Sequence, residues 1–252
     1  MKGKLYLGSM GWSYKFWPLY EEGSNASDYL SQYASHFNSV EVNNTFYRIP
    51  NIPTVENWYE DVPSGFVFSS KFPRSISHAG SLNYDEERLE VFLRNISVFK
   101  DKKGPLLLQL PPYSRSAAFE NLESLLEALP AGDKIAVEFR NKEWLSDETY
   151  ALLISKGVAT VFQEHPTFPD VDQLTGSFVY IRCEGDRKKV NGEKGEREVD
   201  RVKDTEKCAK RIHSYLGEGI DVFCYFSKYY SGYPPSDIID MRRILKSLEE
   251  GS

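Results

Sequence analysis

Several apolar runs in this chain end in side chains that could bind a ligand or move a proton. In the first, Val40 and Val42 alternate with Glu41 and Asn43, a period of two that sets a carboxylate and an amide on one face of a strand. Asn44 and Thr45 break that run, and Phe46, Tyr47 and Arg48 crowd together before Pro50. The run from Phe66 leads through Ser69 to Lys71 and, beyond it, His78. The run from Pro105 leads to Gln109, that from Ile135 to Glu138, Arg140 and Trp144, and that from Phe178 to Arg182 and Glu184. Polar strand ends followed by aromatics are what a ligand-facing mouth looks like.

Two carboxylates beside an amine suit general acid–base chemistry, so Glu41, Glu138 and Lys71 are the candidate catalytic residues. Asn43, Tyr47, Arg48, His78, Gln109, Arg140, Trp144 and Arg182, with Trp12 and Tyr14 from the first loop, are the candidate ligand contacts. Their cations suit an anion, and their amides and aromatics suit a sugar-like molecule. The same residues also allow a plain structural reading, an ion-pair network led by Glu41 and Lys71, because buried charges must be paired.

Three chemistries can be weighed on these groups. A retaining glycosidase needs two carboxylates about 5 Å apart; Glu41, Glu138 and Glu184, with Trp12, Trp17, Trp58 and Trp144 as sugar platforms, would supply the parts, but the fourth strand ends in an amide, Gln109. No cofactor is predicted. A divalent metal on Glu138, Glu164, His165 and Glu184 is an alternative, as in a metal-dependent hydrolase or isomerase, though the 4 histidines show no ligand spacing. A Schiff base on Lys71 needs a desolvated amine, which two nearby acids are expected to keep charged.

Strand-like and helix-like stretches alternate about eight times around these residues. Helical stripes begin near Ala26, with Ser24 or Asn25 as cap, at Pro53, and after Asp85, where Leu89, Phe92, Leu93 and Ile96 fall on one face. Further helices are expected from Phe119, after a Ser146 cap, around Ile212, and after a Ser236 cap. The intervening strands are too apolar for a sheet wetted on one side, so the prediction is a single-domain α/β protein, a (β/α)8 TIM-type barrel over residues 1–252. The rival, an open doubly wound sheet, lacks its Gly-rich turn, since Gly8-Ser9-Met10-Gly11 is not GxGxxG. In such a barrel the site lies at the C-terminal mouth.

A formal charge of −6 and 40% hydrophobic residues describe an ordinary globular chain and argue against an undirected grip on duplex nucleic acid. Aromatic loops keep a single-stranded nucleic acid, or a protein partner, as a non-catalytic alternative to a small-molecule ligand. Residues 186–198, with Arg187, Lys188 and Lys189, read as a solvated loop or as a lid over a phosphate. Cys183, Cys208 and Cys224 have no CxxC spacing and read as inert buried thiols in a reducing compartment. With no apolar run near the ~20 residues of a membrane span, the expectation is a cytoplasmic protein without membrane contact.

Gly11-Trp12-Ser13-Tyr14, the segment from Val40 to Pro50, the Phe66 strand with His78 after it, the segment from Gly104 to Pro112, and Val137-Glu138-Phe139-Arg140 with Trp144 resemble the YecE-like family, a family of unknown function. The resemblance covers nearly the whole chain and implies a TIM-type barrel, with no established reaction to carry over. Two strand ends depart from the family pattern. Arg182-Cys183-Glu184-Gly185 stands where the family commonly has Arg-x-His-Gly, and Phe226-Ser227-Lys228 stands where it has Phe-Asn-Asn.

Overall fold

The structure is a computed structural model that describes residues 2–251. The elements run β1 (Leu5–Ser9), α1 (Tyr29–His36), β2 (Ser39–Val42), α2 (Asn44–Tyr47), α3 (Ile52–Glu60), β3 (Val67–Lys71), α4 (Arg74–Ser77), α5 (Glu86–Ile96), β4 (Lys103–Gln109), α6 (Phe119–Glu127), β5 (Ile135–Glu138), α7 (Asp147–Ser155), β6 (Ala159–Glu164), β7 (Phe178–Cys183), α8 (Val202–Gly217), β8 (Asp221–Phe226) and α9 (Pro234–Glu250). All eight strands form one parallel sheet in the order β1-β8-β7-β6-β5-β4-β3-β2. This is the predicted (β/α)8 barrel rather than an open doubly wound sheet.

The ends of that order meet without a backbone ladder. Asn38 closes the seam instead: its side-chain oxygen accepts the Leu7 N–H at 3.0 Å, and its amide donates to the Leu5 carbonyl at 2.8 Å. Higher up, the Tyr33 hydroxyl accepts the Ser9 N–H at 2.8 Å and donates to the Ser39 carbonyl at 3.0 Å. Gly8 permits this approach, because a Cβ there would lie 2.0 Å from the Ser39 carbonyl oxygen. Edge groups that would otherwise stay unpaired are thus satisfied by side chains.

Period-two alternation sorts the strand residues into two cores. Inside the barrel, Leu107, Ala136, Val161, Phe178, Tyr180, Phe223 and Tyr225 pack together. Between wall and helices lies the larger core, to which α5 contributes Leu89, Phe92 and Ile96 from one face. That helix starts as predicted, with Asp85 accepting the Arg88 N–H at 3.3 Å and Glu86 and Glu87 at the positive end of the macrodipole. Ser146 likewise caps α7. Two starts differ from prediction. The first helix begins at Tyr29, because the Asp28 carboxylate accepts the Asn25 N–H at 2.9 Å and turns the chain there. The last begins at Pro234, where the fixed φ of proline suits a first turn. This leaves Ser236 inside the helix, its hydroxyl donated to the Tyr233 carbonyl at 2.8 Å.

Candidate functional site

Because inward residues at strand ends converge on one rim, Glu41 of β2, Lys71 of β3, Gln109 of β4, Glu138 of β5 and Arg182 of β7 meet at the C-terminal mouth. Arg182 is the hub. Its Nε and one terminal nitrogen grip the two oxygens of Glu41, each at 2.9 Å. The other terminal nitrogen donates to Glu138 at 2.5 Å and to Glu184, and the remaining N–H points to the Met10 sulfur at 3.2 Å. All five guanidinium donors are thereby used. None is left for the ligand contact expected of Arg182.

Glu41 also accepts from Tyr180 and from Asn43, each at 2.9 Å. Arg140 forms an ion pair with Glu138, not aligned as a hydrogen bond, and a second with Glu184 at 2.6 Å. Three carboxylates therefore stand against Arg182, Arg140 and Lys71, and their charges cancel. Burial works against the charges of Glu138 and Glu184, but the two arginines hold both carboxyls below their ordinary values, that of Glu184 at about 2.

The expected Glu41–Lys71 ion pair does not form, since Arg182 takes both oxygens of Glu41. Lys71 donates to the Gln109 side-chain oxygen at 2.6 Å, and Gln109 donates in turn to Glu138 at 2.9 Å. The ammonium lies 4.3 Å from the centre of the Phe46 ring. Lys71 is only 8% exposed. Burial, and then the nearby Arg182 charge, lower it to about 8, outweighing Glu138, Glu41 and Glu184. The three acids do raise it, as expected, but burial and Arg182 outweigh them, so the amine is mostly charged at pH 7 with a neutral fraction.

Above the cluster opens a cleft of about 590 Å³ lined by His78, Gln109, Pro111, Pro112, Arg140, His165, Pro166, Thr167, Glu184, Gly185, Asp186, Arg187 and Lys188. Burial, then Lys71 and Arg74, lower His78 to about 4; burial and Arg140 also lower His165. Both rings are neutral near pH 7. Glu41 and Glu138 are fully buried, and neither they nor Lys71 line the cleft; Lys71 is joined to its wall through Gln109.

Other candidates lie apart from it. Trp144 is fully buried, stacked on Phe139 at 5.4 Å, with its indole N–H given to the Ser114 carbonyl. Trp12 packs edge-on against Trp58 at 5.3 Å. Tyr14 donates to the Met10 carbonyl at 2.9 Å. These three, expected as ligand contacts, do not line the cleft. Arg48 is exposed beyond the rim. Tyr47, 81% exposed, meets Phe46 edge-on, and Phe46 meets His78 in the same way. Tyr113, 62% exposed, continues this aromatic row on the far side of His78.

Residues 186–198 are tied to the body. Glu198 accepts the backbone N–H groups of Asn191 and Gly192 and donates its own to the Ser231 carbonyl, and Glu193 pairs with Lys228 at 2.8 Å. Tyr180 and Met10 are parts of the cluster that the sequence reading does not single out, whereas Phe46 belongs to the aromatics it notes beyond the Glu41 strand. Tyr180 was readable, two residues before Arg182 on the same inward face. Met10 comes from the loop after β1 and Phe46 from the one-turn helix α2, which carry no such period.

The chain matches, over residues 6–251, the family described as "Protein of unknown function DUF72". It belongs to that family. Among DUF72 relatives, the UPF0759 protein YecE of Escherichia coli (strain K12) is 30% identical over 154 residues, 61% of this chain and 55% of that protein. The UPF0759 protein YunF of Bacillus subtilis (strain 168) is 28% identical over 159 residues, 60% and 56% respectively. The matched stretch thus spans about half the length of each curated relative. The crystal structure of a DUF72 family protein from Enterococcus faecalis V583 superposes with a TM-score of 0.78 at 19% identity, covering 96% of this chain and 95% of that one. One from Thermotoga maritima MSB8 gives 0.76 at 24% identity, covering 96% and 99%. These likenesses confirm the DUF72 barrel fold. No helix among the described residues is long and apolar enough to cross a membrane.

Proposed function

We propose that the protein is an enzyme that binds a small anionic or sugar-like molecule in the cleft, with the amine of Lys71, hydrogen-bonded to Gln109 of the cleft wall, as the group that takes up a proton. The observation that carries this reading is the pairing pattern. The carboxylates Glu41, Glu138 and Glu184 are engaged by Arg182 and Arg140, while Lys71 is the one cation of the cluster, among the described residues, that forms no ion pair. A buried amine lowered to about 8 exists partly in its neutral form at physiological pH and can accept a proton on Nζ. Glu41 and Glu138 are then positioning groups that hold Arg182. This arrangement does not favour the paired free carboxylates of a retaining glycosidase.

Arg187 and Lys188 on the cleft wall favour an anion, the charge of Arg140 being taken up by Glu138 and Glu184. The exposed faces of Tyr47 and Tyr113 favour a ring to stack on. Glu138, Glu164, His165 and Glu184 do not come together as a metal-donor group among the described residues.

The test is a thermal-shift panel of sugar phosphates, sugar acids and neutral sugars against the wild-type protein. A phosphorylated or carboxylated sugar should raise the melting temperature in a manner that Arg187→Ala weakens. If no compound in the panel shifts it, while a single-stranded oligonucleotide is retained on a filter at low salt, the cleft serves the non-catalytic reading that the aromatic row also allows.

A further inference from the structure

Three cysteines far apart in sequence meet behind the wall of the mouth. Cys183 ends β7, Cys224 lies on β8, and Cys208 faces them from α8; all three are free and buried. Their sulfurs lie within 4.8 Å of one another, and those of Cys183 and Cys224 are 4.0 Å apart. No other group of three or more His, Cys, Asp or Glu donors is this close among the described residues. A buried cysteine on its own acts as a small apolar side chain. Here, however, each of three separate elements presents its sulfur to the other two.

We propose that Cys183, Cys208 and Cys224 bind a soft d10 cation, Cu(I), between the β7–β8 wall and α8. Sulfur ligands select soft ions such as Cu(I) and Zn. Structural zinc is almost always held by four ligands, and no fourth donor joins this group among the described residues. Three sulfurs around a central ion fit three-coordinate Cu(I) instead. With metal–sulfur bonds of about 2.3 Å, a trigonal set holds its sulfurs about 4.0 Å apart, so the outermost pair need close by less than an ångström.

Each sulfur that binds gives its proton to solvent, copper keeps its oxidation state, and the site gains negative charge. The cation one turn along α8 from Cys208, Arg211, is already paired with Asp170 at 2.9 Å. A smaller pocket of about 170 Å³ is lined by Tyr230 and by none of the three cysteines. Tyr230 contacts the Thr205 hydroxyl at 3.3 Å, one turn before Cys208 on α8. A bound ion would pin β7 against β8 and α8, and so fix the strand end that carries Arg182 and Glu184.

The experiment is a competition titration of reduced, anaerobic wild-type protein with the violet Cu(I)–bicinchoninate complex. One equivalent of copper should be withdrawn, with a thiolate-to-copper ultraviolet band and an X-ray absorption shell of three sulfurs. Cys208→Ser should weaken uptake about a hundredfold. The proposal is overturned if the wild-type protein leaves the complex intact, if Cys208→Ser withdraws copper as well as wild type does, or if the bound shell is nitrogen and oxygen. The wild-type titration and its absorption shell decide the question even where the variant does not fold. They also do so independently of any ligand in the cleft.

Discussion

Lys71 sits in an environment that favours its uncharged form, and that has a consequence for stability as well as chemistry. Its folded value of about 8 lies below the ordinary 10.5 of an unfolded lysine, so between these pH values the unfolded chain binds the extra proton. The penalty is therefore fully present below about pH 8 and fades as pH rises toward 10.5, amounting to about 3 kcal/mol by the size of the shift. The groups facing the amine are Arg182, Glu138, Glu41, Glu184 and His78, with Gln109 as its hydrogen-bond acceptor. Lys71→Met is expected to melt higher than wild type at pH 7, and this gap should shrink by pH 10. Its turnover on the ligand that the panel identifies should fall by a factor of about 10² or more. Denaturant melts across pH check the first part, and a variant destabilised at pH 7 would refute it. The sequence showed that Lys71, Glu41, Glu138 and Arg182 share a mouth, because period two fixes which face a side chain takes. It did not show who pairs with whom: Arg182, with five donors in a rigid fork, outcompetes the single ammonium of Lys71 for Glu41.

At the scale of elements, the barrel holds its mouth in shape through the seam between β1 and β2. The Tyr33 hydroxyl there satisfies the Ser9 N–H, takes a contact from the Ser9 hydroxyl at 3.0 Å, and donates to the Ser39 carbonyl. Tyr33→Phe leaves the ring in the core but orphans a buried N–H and a carbonyl. The expected cost is about 1–3 kcal/mol, seen as a lower urea midpoint with an unchanged slope. A variant as stable as wild type would mean that the seam closes by other contacts. Hydrophobic periodicity made the strands and most helices legible, α5 best of all, because its apolar stripe and its Asp85 cap agree. The seam was not legible. It rests on Asn38 and Tyr33, a turn residue and a helix residue whose polar atoms give no signal until the two strand edges face each other.

At the scale of the whole molecule, the net charge of −6 and the cationic cleft wall pull in opposite directions. A negative molecule should repel an anion at long range, so attraction has to come from nearby charges. Within the ionic cluster those charges cancel: Glu41, Glu138 and Glu184 against Arg182, Arg140 and Lys71. Arg187 and Lys188, from the segment after β7, are then what makes the entrance attractive, with Asp186 the acid beside them. Since the Debye length is about 8 Å at physiological ionic strength, their pull is short-ranged but acts on any ligand inside the cleft. Replacing both (Arg187→Glu with Lys188→Glu) should weaken binding of the anionic compound found in the panel by about tenfold or more at low salt, and by less as salt is raised. Neutral sugars should be unaffected. Isothermal titration at two ionic strengths reads both effects, and an equal loss for neutral and anionic compounds would show that the segment shapes the cleft rather than charging it.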